Sequence, residues 1–441
     1  MGYLMLLLNS IVLFLVSNFY ILDKSYDLKI PVVFVVLFVI FINIFPSLFT
    51  NKLLDEKLKK IRNGYRLLIM FLINIVLDVL LYAISFFYYN VEIKLLLNNL
   101  ISLIIILNIV FWNGMIRVYL FSKQLGIRYR LVGFLLGLIP IAHLVMLVLI
   151  IKVCKEEVDF ENDKIKTDIS RKSEEVCKTK YPLLLVHGIF FRDFELLNYW
   201  GRIPDELIKN GATIYYGNHS SSLAVKDSAE ELAGRITEIV EKTKCEKVNI
   251  IAHSKGGLDS RYAISNLGMD KYVASLSMIN TPNHGCVFAE YLLNKVPEGM
   301  KNKIASGYNF ALKKLGDKEP DFISGVSDLT ASRVEELNKD MKQSDSVYYK
   351  AYGSVLKKAT SGRFPLNLTN NFVKLFDSKN DGLVGIESFP IENSEFTLIE
   401  SPYKRGISHG DVIDLNRENI KGFDVREFYV KLVNELKNKG F

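Results

Sequence analysis

Val248-Asn249-Ile250-Ile251-Ala252-His253-Ser254-Lys255-Gly256-Gly257 carries an apolar strand pattern into a serine flanked by small residues. A helix-compatible run follows, beginning Leu258-Asp259-Ser260-Arg261. A serine on so tight a strand-to-helix turn projects its hydroxyl clear of the backbone, and Ala252 and Gly256 let strand and helix approach without collision. The helix N-terminus behind it offers unpaired N–H groups and a positive dipole end to a developing oxyanion. Small-x-Ser-x-Gly also arises by chance, so this nucleophile elbow needs companions elsewhere in the chain.

Upstream, Leu183-Leu184-Leu185-Val186-His187-Gly188 reads as a buried parallel strand entering a glycine turn. The backbone N–H of Ile189, just past that turn, and that of Lys255 are the candidate oxyanion donors. A serine hydroxyl is a poor nucleophile until an imidazole takes its proton and a carboxylate holds the imidazole. Of the six histidines, His143 lies in an apolar segment, His187 in the glycine turn, and His253 beside the serine, where neighbouring side chains diverge. His219 precedes Ser254, against a Ser, acid, His chain order, and His284 leaves no room before it for a strand carrying the acid. His409, in Ile407-Ser408-His409-Gly410-Asp411, is therefore the expected base. The expected acid is Asp381 in Asn380-Asp381-Gly382-Leu383-Val384, where Asp-Gly gives a sharp turn; Asp377 is its competitor.

Around these residues strand and helix patterns alternate. Strands are expected at 182–187, 212–216, 247–253, 272–280, 347–352 and 395–400, and helices at 199–210, 224–242, 256–266 and 425–437. The implied fold class is α/β, a mostly parallel sheet covered on both faces with active residues at the strands' C-terminal ends. Between 286 and 327 the pattern gives way to amphipathic helical segments, read as a lid.

From Tyr181 onwards the chain resembles the secreted triacylglycerol lipases of bacteria. The likeness rests on Leu185-Val186-His187-Gly188, Asn198-Tyr199-Trp200-Gly201, Thr281-Pro282-Asn283-His284-Gly285-Cys286, Asp328-Leu329-Thr330 and Asn380-Asp381-Gly382-Leu383-Val384. It implies an α/β-hydrolase domain over 181–441, with Ser254, Asp381 and His409 as catalytic triad and a lid at 286–327 over the acyl pocket. The resembled enzymes often carry a structural calcium near the histidine, and Asp411 matches one of its carboxylates. Leu415 stands where an amide ligand belongs and no acid lies at the expected distance before Asp381, so no cofactor is expected to be required.

The first 153 residues differ in kind. The hydrophobic fraction of 49% exceeds what a soluble enzyme uses, and the excess collects in five stretches, 3–22, 30–49, 67–89, 95–121 and 131–151. Each is long enough to cross a hydrocarbon core, so 1–153 is expected to form a transmembrane domain of five helices, with 154–180 a charged, mobile or loosely helical linker. The first stretch lacks the basic start and cleavage site of a removable signal peptide. Lys and Arg gather at 51–66 and 122–130, which places those segments in the cytoplasm and the C-terminal domain outside it, at the cell membrane. Asp78, deep in the third stretch, is expected to join interhelical hydrogen bonds, with Arg117 as a possible ion partner.

Cys154, Cys177, Cys245 and Cys286 form no CxxC pair and no metal spacing, which argues against a zinc site or a disulfide scaffold. The net charge of +7 sits largely on membrane flanks, with no basic groove for nucleic acid. The sequence thus reads as a membrane-anchored serine hydrolase acting on lipid esters, a lipase or esterase. The same triad would also serve a phospholipase or an acyltransferase, because sequence does not fix the acceptor. From another class, a transporter or sensor with a regulatory hydrolase-like domain is the rival reading; few intramembrane charges and intact triad residues weigh against it.

Overall fold

The computed structural model describes residues 2–47, 53, 55–89, 91–137, 139–189, 198–220, 222–314, 319–359, 363 and 366–441. The chain divides into two compact units, Met1–Ser170 and Arg171–Phe441.

The N-terminal unit is helical: α1 (Gly2–Ser17), α2 (Phe19–Tyr26), α3 (Val32–Ile44), α4 (Glu56–Phe87), α5 (Ile93–Phe121), α6 (Gly126–Leu136) and α7 (Pro140–Ser170). Among the described residues α4 and α5 are long and apolar enough to cross a membrane, and α1 with α2, bent by 65°, forms a third span if counted as one. The other two expected crossings take a different form. Prolines bracket α3: Pro31 is its N-cap and Pro46 lies just beyond its end, leaving 13 helical residues. At 1.5 Å per residue these reach about 20 Å, short of a hydrocarbon core. The stretch 131–151 is broken between α6 and α7, because Pro140 lacks the N–H that a continuous helix would bond and is tolerated only in a first turn. Residues 154–170 of the expected loose linker instead prolong α7 as a regular helix. Its Glu157 is buried and accepts hydrogen bonds from the Lys123 N–H at 2.9 Å and from the Ser122 hydroxyl, which fixes the α5–α6 turn.

Asp78 does not meet Arg117. Its Oδ1 accepts from Asn18 Nδ2 at 2.7 Å, and Asn18 Oδ1 accepts in turn from Asn99 Nδ2 at 2.8 Å. Arg117 instead donates to the Asn43 carbonyl at 2.7 Å, capping α3, and to Asn113 Oδ1 at 3.0 Å. The helix faces decide this pairing: Asp78 points to the α1–α2 bend and Arg117 to the end of α3.

The C-terminal unit alternates strand and helix: β1 (Leu183–Val186), α8 (Ile203–Lys209), β2 (Ile214–Tyr216), α9 (Val225–Thr243), β3 (Val248–His253), α10 (Lys255–Asn266) and β4 (Val273–Ile279). There follow α11 (Val287–Lys295), α12 (Glu298–Lys314), α13 (Phe322–Ser327), α14 (Ala331–Asp340), β5 (Tyr348–Ser354), α15 (Leu366–Val373), β6 (Glu395–Ile399) and α16 (Val425–Asn438). All six strands are parallel, in the order β2-β1-β3-β4-β5-β6. Successive residues of a strand point to opposite faces. Leu183, Leu185, Ile251 and Ile279 therefore pack under Trp200, Leu207, Tyr429 and Val433. Leu184, Val186, Ile250 and Met278 meet Leu232, Ile236 and Ala263 of α9 and α10 on the other side. Burial on both faces explains the unbroken apolar runs of the central strands. The strand order reverses between β1 and β3, and a ligand crevice opens at the C-terminal ends beside such a switch point.

Candidate active site

β3 ends at His253 and α10 begins at Lys255, so Ser254 alone makes the turn, with φ 54° and ψ −129°. That conformation is costly for a residue with a Cβ and persists only where the surroundings enforce it. The Ser254 N–H donates to the Ile279 carbonyl at 3.0 Å, tying the turn to β4. A Cβ on Gly256 would lie 2.4 Å from the His187 carbonyl oxygen, and one on Gly188 would lie 2.8 Å from the Ser254 Cβ. Both glycines are required for this close approach, and they seat the Gly188–Ile189 turn against the serine. Ile189 is the residue after Gly188 in that turn, and Lys255 is the first residue of α10.

The structure brings Ser254, His409 and Asp381 together. His409 Nε2 lies 3.0 Å from Ser254 Oγ, and His409 Nδ1 lies 2.6 Å from Asp381 Oδ2. Asp381 is fully buried, yet every acceptor direction is used. Its Oδ1 takes the N–H groups of Leu383 and Val384, each at 2.9 Å, and its Oδ2 takes Asn280 Nδ2 at 2.6 Å besides His409. The Asp-Gly turn read from the sequence supplies the first two bonds. The alternative acid, Asp377, packs against Gly385, and burial followed by the nearby Glu387 raises its pKa.

Two residues complete the arrangement that the sequence analysis did not assign. Asn280, at φ 48° just past β4, bridges Asp381 to Ser354 Oγ. Tyr199 is the other. Its hydroxyl accepts the Gly188 N–H at 3.0 Å and donates its own proton to His253 Nδ1 at 2.5 Å. His253 then carries its proton on Nε2, which donates to the His409 carbonyl at 3.1 Å. Burial first, then His409, pushes the His253 pKa well below its usual 6.5, so this imidazole stays neutral. His253 does diverge from the serine, and it does so towards the backbone of the neighbouring histidine. The Asn198-Tyr199-Trp200-Gly201 stretch was the one available signal for Tyr199; nothing local marks Asn280.

Beneath the elbow, the Lys255 side chain turns inward. Its Nζ donates to Asp259 Oδ1 at 2.7 Å and to Ser228 Oγ at 2.9 Å, and Asp259 Oδ2 lies 3.2 Å from His219 Nε2. His219 stacks on His187 at 4.6 Å between ring centres. His219 and His187 therefore line the support of the turn.

Asp411 does not present a calcium donor. Its Oδ2 accepts from Arg405 Nη1 at 2.7 Å and from the Ser408 N–H at 2.8 Å, and its Oδ1 accepts from Arg405 Nη2 at 3.1 Å. A guanidinium thus occupies the charge-compensating position, Leu415 brings hydrocarbon, and the described residues include no group of three or more His, Cys, Asp or Glu side chains suited to a metal. The donor set does not fit calcium.

Among sequences, 174 residues are 28% identical to the triacylglycerol lipase of Pseudarthrobacter phenanthrenivorans, covering 37% of this chain and 54% of that protein. The triacylglycerol lipase of Pseudomonas fragi is 25% identical over 300 residues, 60% of this chain and 99% of that one. The chain resembles triacylglycerol lipases. It spans about half the length of the first of these relatives. No family model matches. Among solved structures, the mature form of a Bacillus licheniformis lipase superposes with a TM-score of 0.44 at 19% identity, over 58% of this chain and 92% of that one.

Proposed function

We propose that the chain is a membrane-anchored serine hydrolase of α/β-hydrolase type that cleaves carboxylic esters of lipids, as a triacylglycerol lipase or esterase. The observation that supports this most is the continuous hydrogen-bonded line Ser254 Oγ, His409, Asp381 at the carboxyl ends of a parallel sheet. Ser254 Oγ attacks the ester carbonyl as His409 Nε2 takes its proton, and Asp381 holds the imidazolium that forms. The Ile189 and Lys255 N–H groups receive the oxyanion. His409 returns the proton to the departing alcohol, leaving an acyl group on Ser254. Water then attacks this acyl-enzyme with His409 again as base, and the fatty acid leaves. No metal enters these steps.

In this reading the apolar stretches of 1–153 hold the enzyme in the cell membrane as five crossings, with α3 and the α6–α7 pair as the irregular ones. The catalytic domain lies outside the cytoplasm, and α11 to α13, whose Leu292 and Phe310 are exposed, form a lid that opens onto lipid. Purified full-length protein, assayed on p-nitrophenyl esters, triglycerides and phospholipids with both free fatty acid and transferred acyl product measured, tests the chemistry. Release of fatty acid that Ser254→Ala abolishes is the expected result. Acyl product on an alcohol acceptor in place of free acid would make the protein an acyltransferase, and no turnover of any ester would refute the proposal.

A further inference from the structure

Three ionisable side chains beneath the elbow have no part in the proposed reaction. Lys255 and Asp259 are fully buried and His219 is 1% exposed. Lys255 and Asp259 stand one turn apart on α10, which puts both on one face of the helix. A buried ion pair contributes little net stability, because the cost of desolvating two charges offsets their attraction, and apolar residues of similar volume often serve as well. Stability gives no reason for this pair.

Its connections do. Lys255 Nζ donates to Asp259 Oδ1 at 2.7 Å and to Ser228 Oγ, in the first turn of α9, at 2.9 Å; Ser228 Oγ donates in turn to the Ser220 carbonyl at 2.8 Å. The other oxygen of Asp259 lies 3.2 Å from His219 Nε2, and the His219 ring stacks on His187 with centres 4.6 Å apart and planes at 24°. His187, His219 and Lys255 come just past the carboxyl ends of β1, β2 and β3, which are neighbours in the sheet. The network therefore ties three adjacent strand ends together. Above it, Lys255 is the first residue of α10, so its N–H has no acceptor within the helix. Ile189 follows His187 by two positions, across Gly188.

We propose that Lys255, Asp259 and His219 are positioning residues for the oxyanion. The ion pair clamps the Lys255 side chain from within, and the ring stack holds the His187–Gly188–Ile189 turn, so that both N–H donors are aimed before the ester arrives. This rests on the esterase reading. Displacing such donors by about 1 Å costs about 10²-fold in rate.

Full-length protein in detergent would be assayed on a soluble ester and titrated with an alkyl trifluoromethyl ketone, whose adduct with a serine carries the oxyanion. Lys255→Met and the double variant Lys255→Met/Asp259→Asn should lower kcat by about tenfold to a hundredfold with KM within about twofold, and should weaken the ketone by the same factor. The single variant should unfold earlier than wild type, since Asp259 keeps a buried charge, and the double variant should recover that loss without recovering kcat. A pair that served only the fold would return activity together with stability. Ser228→Ala and His219→Phe each remove one bond of the network and leave the ion pair, so each should lower kcat severalfold; they carry the test if the Lys255 variants do not fold. Wild-type kcat in folded Lys255→Met or double variant, or in Ser228→Ala and His219→Phe where those do not fold, would overturn the clamp. So would a kcat that follows thermal stability from variant to variant. An inert wild type that also ignores the ketone would instead remove the esterase reading, and the clamp with it.

Discussion

Asp381 is fully buried with four hydrogen bonds on its two oxygens, whereas Asp78, 5% exposed, receives one from Asn18 and its Oδ2 has no partner among the described residues. The first environment is built to hold a full negative charge, because two backbone N–H groups, an amide and an imidazole N–H converge on it. The second is an amide-lined joint between helices, where Asn18 and Asn99 carry the bonding along and the carboxyl is one member of a packing contact. Burial alone therefore says little about what an acid does. The number and charge of its donors separate the two.

The largest expected effect lies on the Asp381 side. Ser254→Ala or His409→Ala should lower ester turnover by about 10⁴ to 10⁶-fold without loss of fold, and the double variant should lose little more, because the residues act as a unit. Asp381→Asn should cost about 10⁴-fold by leaving the wrong tautomer of His409. Steady-state kinetics on a soluble ester measure all three. An active Asp381→Asn protein beside an inactive Asp377→Ala one would transfer the acid to Asp377.

Next in size is the loop that carries His409. Arg405→Ala removes the partner of Asp411 and should destabilise the C-terminal unit by about 2 kcal/mol, with a smaller kcat, since Asp411 anchors the Ser408 N–H beside the histidine. Chelator should leave activity unchanged in wild type, because the guanidinium already supplies the positive charge. Loss of activity on chelation, restored by calcium, would show that the Arg405 pairing gives way to a metal.

His253 gives a pH dependence of intermediate size. The unfolded imidazole titrates near its usual 6.5 and the folded one well below it. On the acid side the unfolded state therefore binds the extra proton. Stability from this group is fully present above 6.5 and declines as pH falls below that value, by at most about 1.4 kcal/mol per pH unit. Equilibrium unfolding of Trp112→Phe protein, with Trp200 in the C-terminal core as reporter, should trace that slope. His253→Asn should start less stable and lack it; an unchanged slope would assign the acid sensitivity to other groups.

The meeting of Ser254, His409 and Asp381 was legible from sequence because its signals are local. The elbow occupies ten consecutive residues, and the Asn-Asp-Gly turn makes two of the four bonds to its own carboxylate. The central strands are buried on both faces and so read as apolar runs. Tyr199 and Asn280 escaped because their roles arise only when β1, β3 and β4 lie side by side. On the membrane side hydropathy located the apolar stretches but not their breaks, which Pro46 and Pro140 impose by backbone geometry. The Asp78–Arg117 pairing failed for a related reason: opposite charges on neighbouring helices say nothing of which faces meet, and each found an amide or carbonyl nearer to hand.

The smallest effect should come from Asp78 itself. Asp78→Asn keeps an oxygen to accept from Asn18 Nδ2 and removes the charge, so membrane-inserted stability should change by less than about 1 kcal/mol and turnover of a soluble ester should stay within about twofold. Asn18→Ala is the harsher change at the same joint. It removes the donor to Asp78 and the acceptor for Asn99 where α1 and α2 bend by 65°, leaving α4 and α5 each with a polar group short of a partner in an apolar setting. Denaturant titration in micelles should therefore rank Asn18→Ala as clearly less stable than Asp78→Asn. The reverse order, or a collapse of activity in Asp78→Asn protein that still inserts and folds, would mean that the Asp78 carboxyl works as an ionisable group, and the contrast with Asp381 would have to be redrawn.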